Sequence, residues 1–291
     1  MFTLKNDLVT ACFKAQGAEL TSLQLNDGEV EFLWQGDPEF WGRQAPVLFP
    51  FVGRLKDDTY RFEGEDYHLP QHGFARDQVF EMVQQTDDSV TFSLKSSETT
   101  KANYPFDFEL QIVYRLVGSA LTTTYRVHNT GEYTMYYSVG GHPAFNVPIN
   151  GQGTFEDYNL TVKFSDESLF LPLAGPNIAV DKKEVVEPHF TVPLLREVFK
   201  GDALVYATPL DQQEIILISE KTPHRLSVSY EKLPYVGLWS PYPKEAPFVC
   251  IEPWLGIADT TDATGELTEK LGIQRLASNQ VEESSYTITI K

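Results

Sequence analysis

Along most of this chain apolar and polar residues alternate in short runs, broken by Gly, Asp, Asn and Pro. DGEVEFLWQG, DTYRFEGEDYHL, SVTFSLKSS, FELQIVYRLVGSALTTTYRVHN and YTMYYSVGG show the habit. Runs of this length with a period of two predict β-strands, because successive side chains on a strand point to opposite faces. In SALTTTYRVHN, Leu121, Thr123, Tyr125 and Val127 fall on one face, and Thr122, Thr124, Arg126 and His128 on the other. Asp27-Gly28, between SLQLN and EVEFLW, predicts a tight hairpin turn. The pattern continues through YNLTVKFS, EIILISE, RLSVSYE, YVGLWS, PFVCIE and SSYTITIK. Helical spacing is confined to VPLLREVF and GELTEKLGIQRLA, each a turn or two long.

Many sequential strands without intervening long helices predict an all-β fold, a large antiparallel β-sandwich with a few short helical turns, rather than an α/β sheet. No Ser/Gly tract, charge block or internal repeat splits the chain, and the Pro-rich patch SPYPKEAPF is short and aromatic. Residues 1–291 are therefore expected to form a single domain.

Composition narrows the partners. A formal net charge of −18 repels phosphate backbones and anionic lipid surfaces, which argues against nucleic-acid and membrane-surface roles. The N-terminal MFTLKNDLVTACFKAQGAEL lacks the basic start, apolar centre and small-residue cleavage site of a secretory signal, so a cytoplasmic protein is expected. The two cysteines, Cys12 and Cys250, lie in separate strand-like segments and read as buried small hydrophobes, not as a disulfide or zinc pair.

Four segments embed an ionisable residue among glycine, proline and aromatic residues. FVCIEPWLG carries Glu252, SVGGHPAFNVP carries His142, LPQHGFARD carries His72 and Arg76, and APVLFPFVGRL carries Arg54. Each has an ordinary structural reading as an ion-pair partner or an exposed turn residue. A buried charge nevertheless costs several kcal/mol unless it is paired. Pro143 and Pro253 push the residues before them, His142 and Glu252, into extended backbone. Alternation in FVCIEP puts Phe248, Cys250 and Glu252 on one face, with the glutamate at a strand end. An acid and a base on rigid strand ends suit proton-transfer chemistry.

Other chemistries find less support. There is no Gly-x-Ser-x-Gly elbow, no phosphate-cradling Gly-x-x-x-x-Gly-Lys loop and no dinucleotide fingerprint. Only one embedded carboxylate is present, where glycoside hydrolysis would need two. A metal-dependent enzyme using His72, His142 and Glu252 as ligands remains a competing reading. Phe74, Phe145, Trp239 and Trp254 are candidate flat walls for a sugar ring.

Taken in order, GAEL, LW, FPFVGRL, HGFARD, GGHPAFNVP, DALVY and IEPWLG resemble the aldose 1-epimerases of the galactose-mutarotase-like superfamily, in particular the LacX-type branch. The resemblance covers nearly the whole chain. It implies a β-supersandwich that binds a small-molecule sugar, a hexose, on its concave face without metal or organic cofactor, and a role in carbohydrate and galactose metabolism. By that resemblance Glu252 matches the general base and His142 the general acid. His72 and Arg54 match the residues that hold the sugar, and Asp202, in FKGDALVY, an acidic residue bonded to a sugar hydroxyl. The chain departs from the best-known galactose mutarotases in having Gly53 before Arg54 and His-Gly-Phe-Ala-Arg at His72. The latter form resembles hexose-6-phosphate 1-epimerases, where Arg76 would serve as a phosphate ligand; the alternative, a salt bridge from Arg76 to the adjacent Asp77 or another acid, is favoured here, because one arginine in a strongly acidic protein is thin support for a dianion. A carbohydrate-binding protein without turnover is a further alternative. The oligomeric state, monomer or homodimer, stays open.

Overall fold

The computed structural model describes residues 1–291. Its principal elements are two antiparallel sheets. In the nine-stranded sheet the order is His189–Pro193, Tyr158–Lys163, Gln213–Ser219, Leu226–Glu231, Val281–Ile290, Ala120–Asn129, Phe108–Val117, Ser89–Lys95 and Glu81–Gln85. The eight-stranded sheet runs Glu184–Val186, Ser168–Phe170, Leu204–Ala207, Tyr235–Trp239, Phe248–Leu255, Val139–Gly141 and Val47–Leu48, with Ala144–Asn146 also paired to Phe248–Leu255. A four-stranded sheet, from Phe2–Lys5 to Val30–Glu31, adds its own apolar face.

The all-β sandwich expected from the alternation is what forms, and the long strands show why. In Ala120–Asn129, Leu121, Thr123, Tyr125 and Val127 are buried while their neighbours are half-buried or exposed. Val249, Ile251 and Leu255 of the eight-stranded sheet share one apolar core of 63 buried residues with Leu110, Ile112, Tyr125 and Ile288 of the nine-stranded sheet. That core therefore lies between the two sheets, each large side chain contributing about 1.5–3 kcal/mol by leaving water. The hairpin at Asp27-Gly28 is present, with Gln24 opposite Glu31 and Leu25 opposite Val30. Its turn is a 3-10 turn, Asp27–Glu29, in which Gly28 and Glu29 take positive φ.

Some expectations need correction. YTMYYSVGG is not one strand: Met135–Tyr137 pairs with Gln274–Leu276, and Val139–Gly141 belongs to the eight-stranded sheet. The two helical predictions shrink to 3-10 turns, Arg196–Phe199 and Leu267–Glu269, and IQRL becomes the strand Gln274–Leu276. The one α-helical piece is Glu98–Lys101, capped by Ser97. Cys250 is buried as expected, but Cys12 is only half-buried, on the outward side of its strand. No helix is long and apolar enough to cross a membrane.

What positions the site is the strand Phe248–Leu255, every residue of which is buried. Its odd-numbered apolar residues enter the main core. On the other face Phe248 and Cys250 pack with Trp34 and Ala144, while Trp254 packs with Leu48, Val205, Ile257 and Ala258. Glu252 lies between these two apolar clusters. It is therefore in mid-strand and not at a strand end, because pairing continues through Pro253 and Trp254 to Val236 and Tyr235.

Candidate active site

On one side the Phe248–Leu255 strand is flanked by two short strands in the same register, with Gly140 opposite Trp254 and Ala144 opposite Cys250. The residue between them that falls opposite Glu252 is His142. Directly opposed residues of an antiparallel pair put their side chains on one face. Accordingly His142 Nε2 lies 3.1 Å from Glu252 Oε2, with the side chains 9% and 2% exposed.

Burial dominates the electrostatics of this pair. It raises the Glu252 carboxyl well above the usual range, and the nearby Asp202 pushes it further. It lowers the His142 imidazole to about 3, with Arg76 and Arg43 acting in the same direction. Both shifts favour a pair that holds one proton between its two groups, since removing it or adding a second would leave a net buried charge. Moving that proton from Oε2 to Nε2 converts the neutral pair into carboxylate and imidazolium without any exchange with solvent.

The pair opens into a cavity of about 450 Å³. Arg54, His72, Arg76, His142, Asp202 and Glu252 all line it, so the six polar residues singled out from the sequence come together. They arrive on different supports. His72 has a positive φ of 68°. It is tied to Gly53 in both directions: its N–H donates to the Gly53 carbonyl at 2.8 Å, and its Nδ1 accepts from the Gly53 N–H at 3.1 Å. With Nδ1 accepting, a neutral imidazole carries its proton on Nε2 and is a donor there. Burial and the neighbouring His142 lower its pKa well below the ordinary histidine value, which keeps it neutral.

Arg54 follows Gly53 and has only Asp58 nearby, at 3.6 Å; its Nε is buried without a hydrogen-bond partner. Arg76 donates to the Gln71 carbonyl at 2.6 Å and stands 3.9 Å from Asp77. Burial and Arg43 lower its pKa to about 10. Asp202 is exposed at the rim, in a turn where its own φ is 75°.

Of the proposed aromatic walls, Trp239 and Trp254 line the cavity, whereas Phe74 and Phe145 pack with the core. Trp254 lies against two neighbouring strands where only glycine leaves room, for a Cβ on Gly140 would come within 2.6 Å of the indole and one on Gly237 would also collide with it. Trp41 was missed. Its ring stacks on His142 at 4.8 Å between centroids, and Trp239 meets the same imidazole edge-on at 5.6 Å. The segment DPEFWGRQAP carries the signal that marked the others, an ionisable residue among proline, glycine and aromatics.

The metal reading took His72, His142 and Glu252 together. The ligand atoms that converge, within 4.8 Å of one another, belong instead to His142, Cys250 and Glu252. Cys250 is a poor donor here, because burial and Glu252 raise its pKa and hold it as a thiol.

Residues 1–271 match the family model described as aldose 1-epimerase. Over 99% of its length the chain is 35% identical to the chromosomal protein LacX of Lactococcus lactis subsp. lactis, covering 98% of that protein. A galactose mutarotase related enzyme from Lactobacillus acidophilus superposes with a TM-score of 0.97 at 38% identity, over 100% of this chain and 97% of the other. A galactose mutarotase-like protein from Lactobacillus casei does so at 0.91 and 31%, over the whole of both chains. The chain belongs to the aldose 1-epimerase family, isomerases that act on carbohydrates.

Proposed function

We propose that this chain, acting as one galactose mutarotase-like domain, interconverts the α and β anomers of a hexose, with Glu252 as general base and His142 as general acid. The observation that carries the reading is the one-proton pair, 3.1 Å between Nε2 and Oε2, opening on a cavity of about 450 Å³ with tryptophan walls. A cavity of that size holds a single sugar ring with a few waters.

In the working tautomer Glu252 is the carboxylate and His142 the imidazolium. Glu252 takes the proton of the O1 hydroxyl, C1=O1 forms as the C1–O5 bond breaks, and His142 delivers its proton to O5. Rotation about C1–C2 presents the other face of the aldehyde. O5 then adds to C1, its proton returns to His142, and Glu252 returns its proton to O1. Atoms and charge balance, and neither water nor a cofactor enters the sum. A positioned acid or base contributes about 10²- to 10⁴-fold.

His72, through Nε2–H, and Arg54, through its unpartnered guanidinium N–H, donate to sugar oxygens, while Asp202 accepts from a hydroxyl at the rim. Arg76 bears on a second reading, a 6-phosphorylated hexose. Its Nη2 donates to the Gln71 carbonyl, while its Nε, 3.9 Å from Asp77, has no hydrogen-bond partner; the Asp77 carboxylate beside it would repel a phosphate dianion, which favours the unphosphorylated sugar. The test is NMR exchange between anomers, run side by side on free and 6-phosphorylated hexoses. Exchange faster than buffer on the free sugars is the expected result. Exchange confined to the phosphorylated ones moves the assignment to the second reading, and exchange no faster than buffer on any sugar leaves a binding protein.

A further inference from the structure

Arg54 has no helix or strand to fix it, yet the loop that carries it is tied to one buried ion pair. Asp259 and Lys270, with side chains 4% and 3% exposed, meet at 2.9 Å. Neither touches the cavity. Four of their hydrogen bonds instead fasten pieces of the rim. Asp259 Oδ2 accepts from the Lys56 N–H at 2.9 Å, and the Asp259 N–H donates to the Arg54 carbonyl at 3.0 Å, so one residue grips both sides of the Arg54–Lys56 turn. The Asp259 carbonyl accepts from the Ile178 N–H at 2.9 Å, which holds the hairpin whose Leu173 and Ile178 line the cavity. Lys270 Nζ donates to Asp259 Oδ1 and, at 2.7 Å, to the carbonyl of Ile257, another lining residue.

The contact between the two loops is close. Gly53, at a φ of +72°, lies so near Ala258 that any Cβ there would collide with it. The same Gly53 holds His72.

Burying two charges costs free energy that their attraction seldom fully repays, and removing one partner leaves the other uncompensated. Of the backbone groups the pair holds on these loops, those of Arg54, Ile178 and Ile257 belong to residues that line the cavity, and Lys56 lies two residues from Arg54. We infer that the Asp259–Lys270 pair is a positioning unit that sets the Arg54 arm of the sugar-binding rim. It acts on binding and not on the proton transfers, because Glu252 hangs from the Phe248–Leu255 strand and His142 from the link between Val139–Gly141 and Ala144–Asn146, and none of these hydrogen bonds of the pair reaches either. The inference rests on the proposed sugar site but not on turnover.

The experiment is a double-mutant cycle between Lys270→Met and Arg54→Ala, with D-galactose and D-glucose as probes. Affinity is read from the fluorescence of the cavity tryptophans, and turnover and thermal midpoint are read separately. Lys270→Met is expected to raise the dissociation constant about tenfold, within the ordinary range for coupling between two sites, with turnover at saturation changed less than about threefold. In the Arg54→Ala background the same change should raise it less than about twofold further, since residues acting through one another are not additive. A lowered midpoint with unchanged affinity would make the pair merely structural and overturn the inference, and so would full additivity with Arg54→Ala. Should Lys270→Met not fold, the uncharged pair Asp259→Asn/Lys270→Met takes its place in the same cycle, since neutral pairs of similar volume are tolerated in buried sites. A wild-type protein that binds hexose without exchanging its anomers would remove the proposed activity and leave the effect of the pair on affinity to be read.

Discussion

Glu252 sits in mid-strand and His142 opposite it in a link clamped on both sides by strands paired to the same Phe248–Leu255 strand, whereas Arg54, His72, Arg76 and Asp202 reach the same cavity from turns. Register alone fixes the separation of the first two. Both strands would have to slip for it to change, and a slip of one residue would turn every side chain of Phe248–Leu255 to the wrong face. The rim has no such constraint and depends on particular contacts, among them the Gly53–His72 exchange and the Asp259–Lys270 pair. The groups proposed to move protons are thus on the stiff part of the molecule, and those proposed to hold the sugar on the adjustable part. Changes in the first should appear in kcat and changes in the second in KM.

The largest effect expected is that of Glu252→Gln. It keeps the shape and hydrogen-bonding capacity but removes the base, so turnover should fall by about 10²- to 10⁴-fold while the dissociation constant for the sugar changes little. Anomer exchange by NMR, corrected for the buffer, measures the first and tryptophan fluorescence the second. Undiminished exchange would remove Glu252 from the mechanism. Next in size is Arg54→Ala. A hydrogen bond from a charged donor is worth about 1.5–3 kcal/mol, so KM should rise at least about tenfold with kcat nearly retained. An equal fall in kcat would mean that the division between strand and rim is wrong.

A smaller effect distinguishes the pair by its cost to stability. In the unfolded chain Glu252 loses its proton near pH ~4.3, but burial makes the folded protein hold it to higher pH. That stabilisation is fully present below the unfolded value and is lost as the pH rises toward the folded one. Glutamine has no proton to lose. The variant should therefore melt about 2–4 °C above the parent at neutral to alkaline pH, with the gain shrinking as the pH falls toward 4. A gain independent of pH would mean that the carboxylate is not strained by its burial.

The same division explains what could be read in the sequence. Alternation in SALTTTYRVHN and FVCIEP disclosed the sandwich and the face on which Glu252 lies, because a strand's geometry repeats residue by residue. It did not show that Glu252 is in mid-strand, since Pro253 reads as a terminator and nothing local reveals that Tyr235–Trp239 pairs past it. YTMYYSVGG looked continuous because a strand that changes sheets at Ser138 keeps its composition. His142 and Glu252 stood out as polar groups in apolar, proline-marked runs, but that they are opposite one another is a fact of pairing across 110 residues of chain. Trp41 and the Asp259–Lys270 pair went unseen for a related reason. A tryptophan in a loop and a lysine in a charged segment look ordinary until the fold buries them.

The smallest effect is a predicted flatness. A free histidine working as an acid loses its proton near pH ~6.5, and a rate that depends on it would fall through that region. Here burial lowers both His142, to about 3, and His72, while it raises Glu252. The pair gains a second proton only in strong acid and loses its first only when the raised Glu252 carboxyl ionises. Between these limits the count stays at one, and titration belongs to the pair and not to either residue. Binding of the sugar redistributes that proton without changing its number. From pH ~5.5 to ~7.5, kcat/KM for anomer exchange, after subtraction of the buffer rate, should change less than about twofold. A midpoint near 6.5 would show that His142 titrates alone, and the shared proton would then have to be given up even if both residues proved essential.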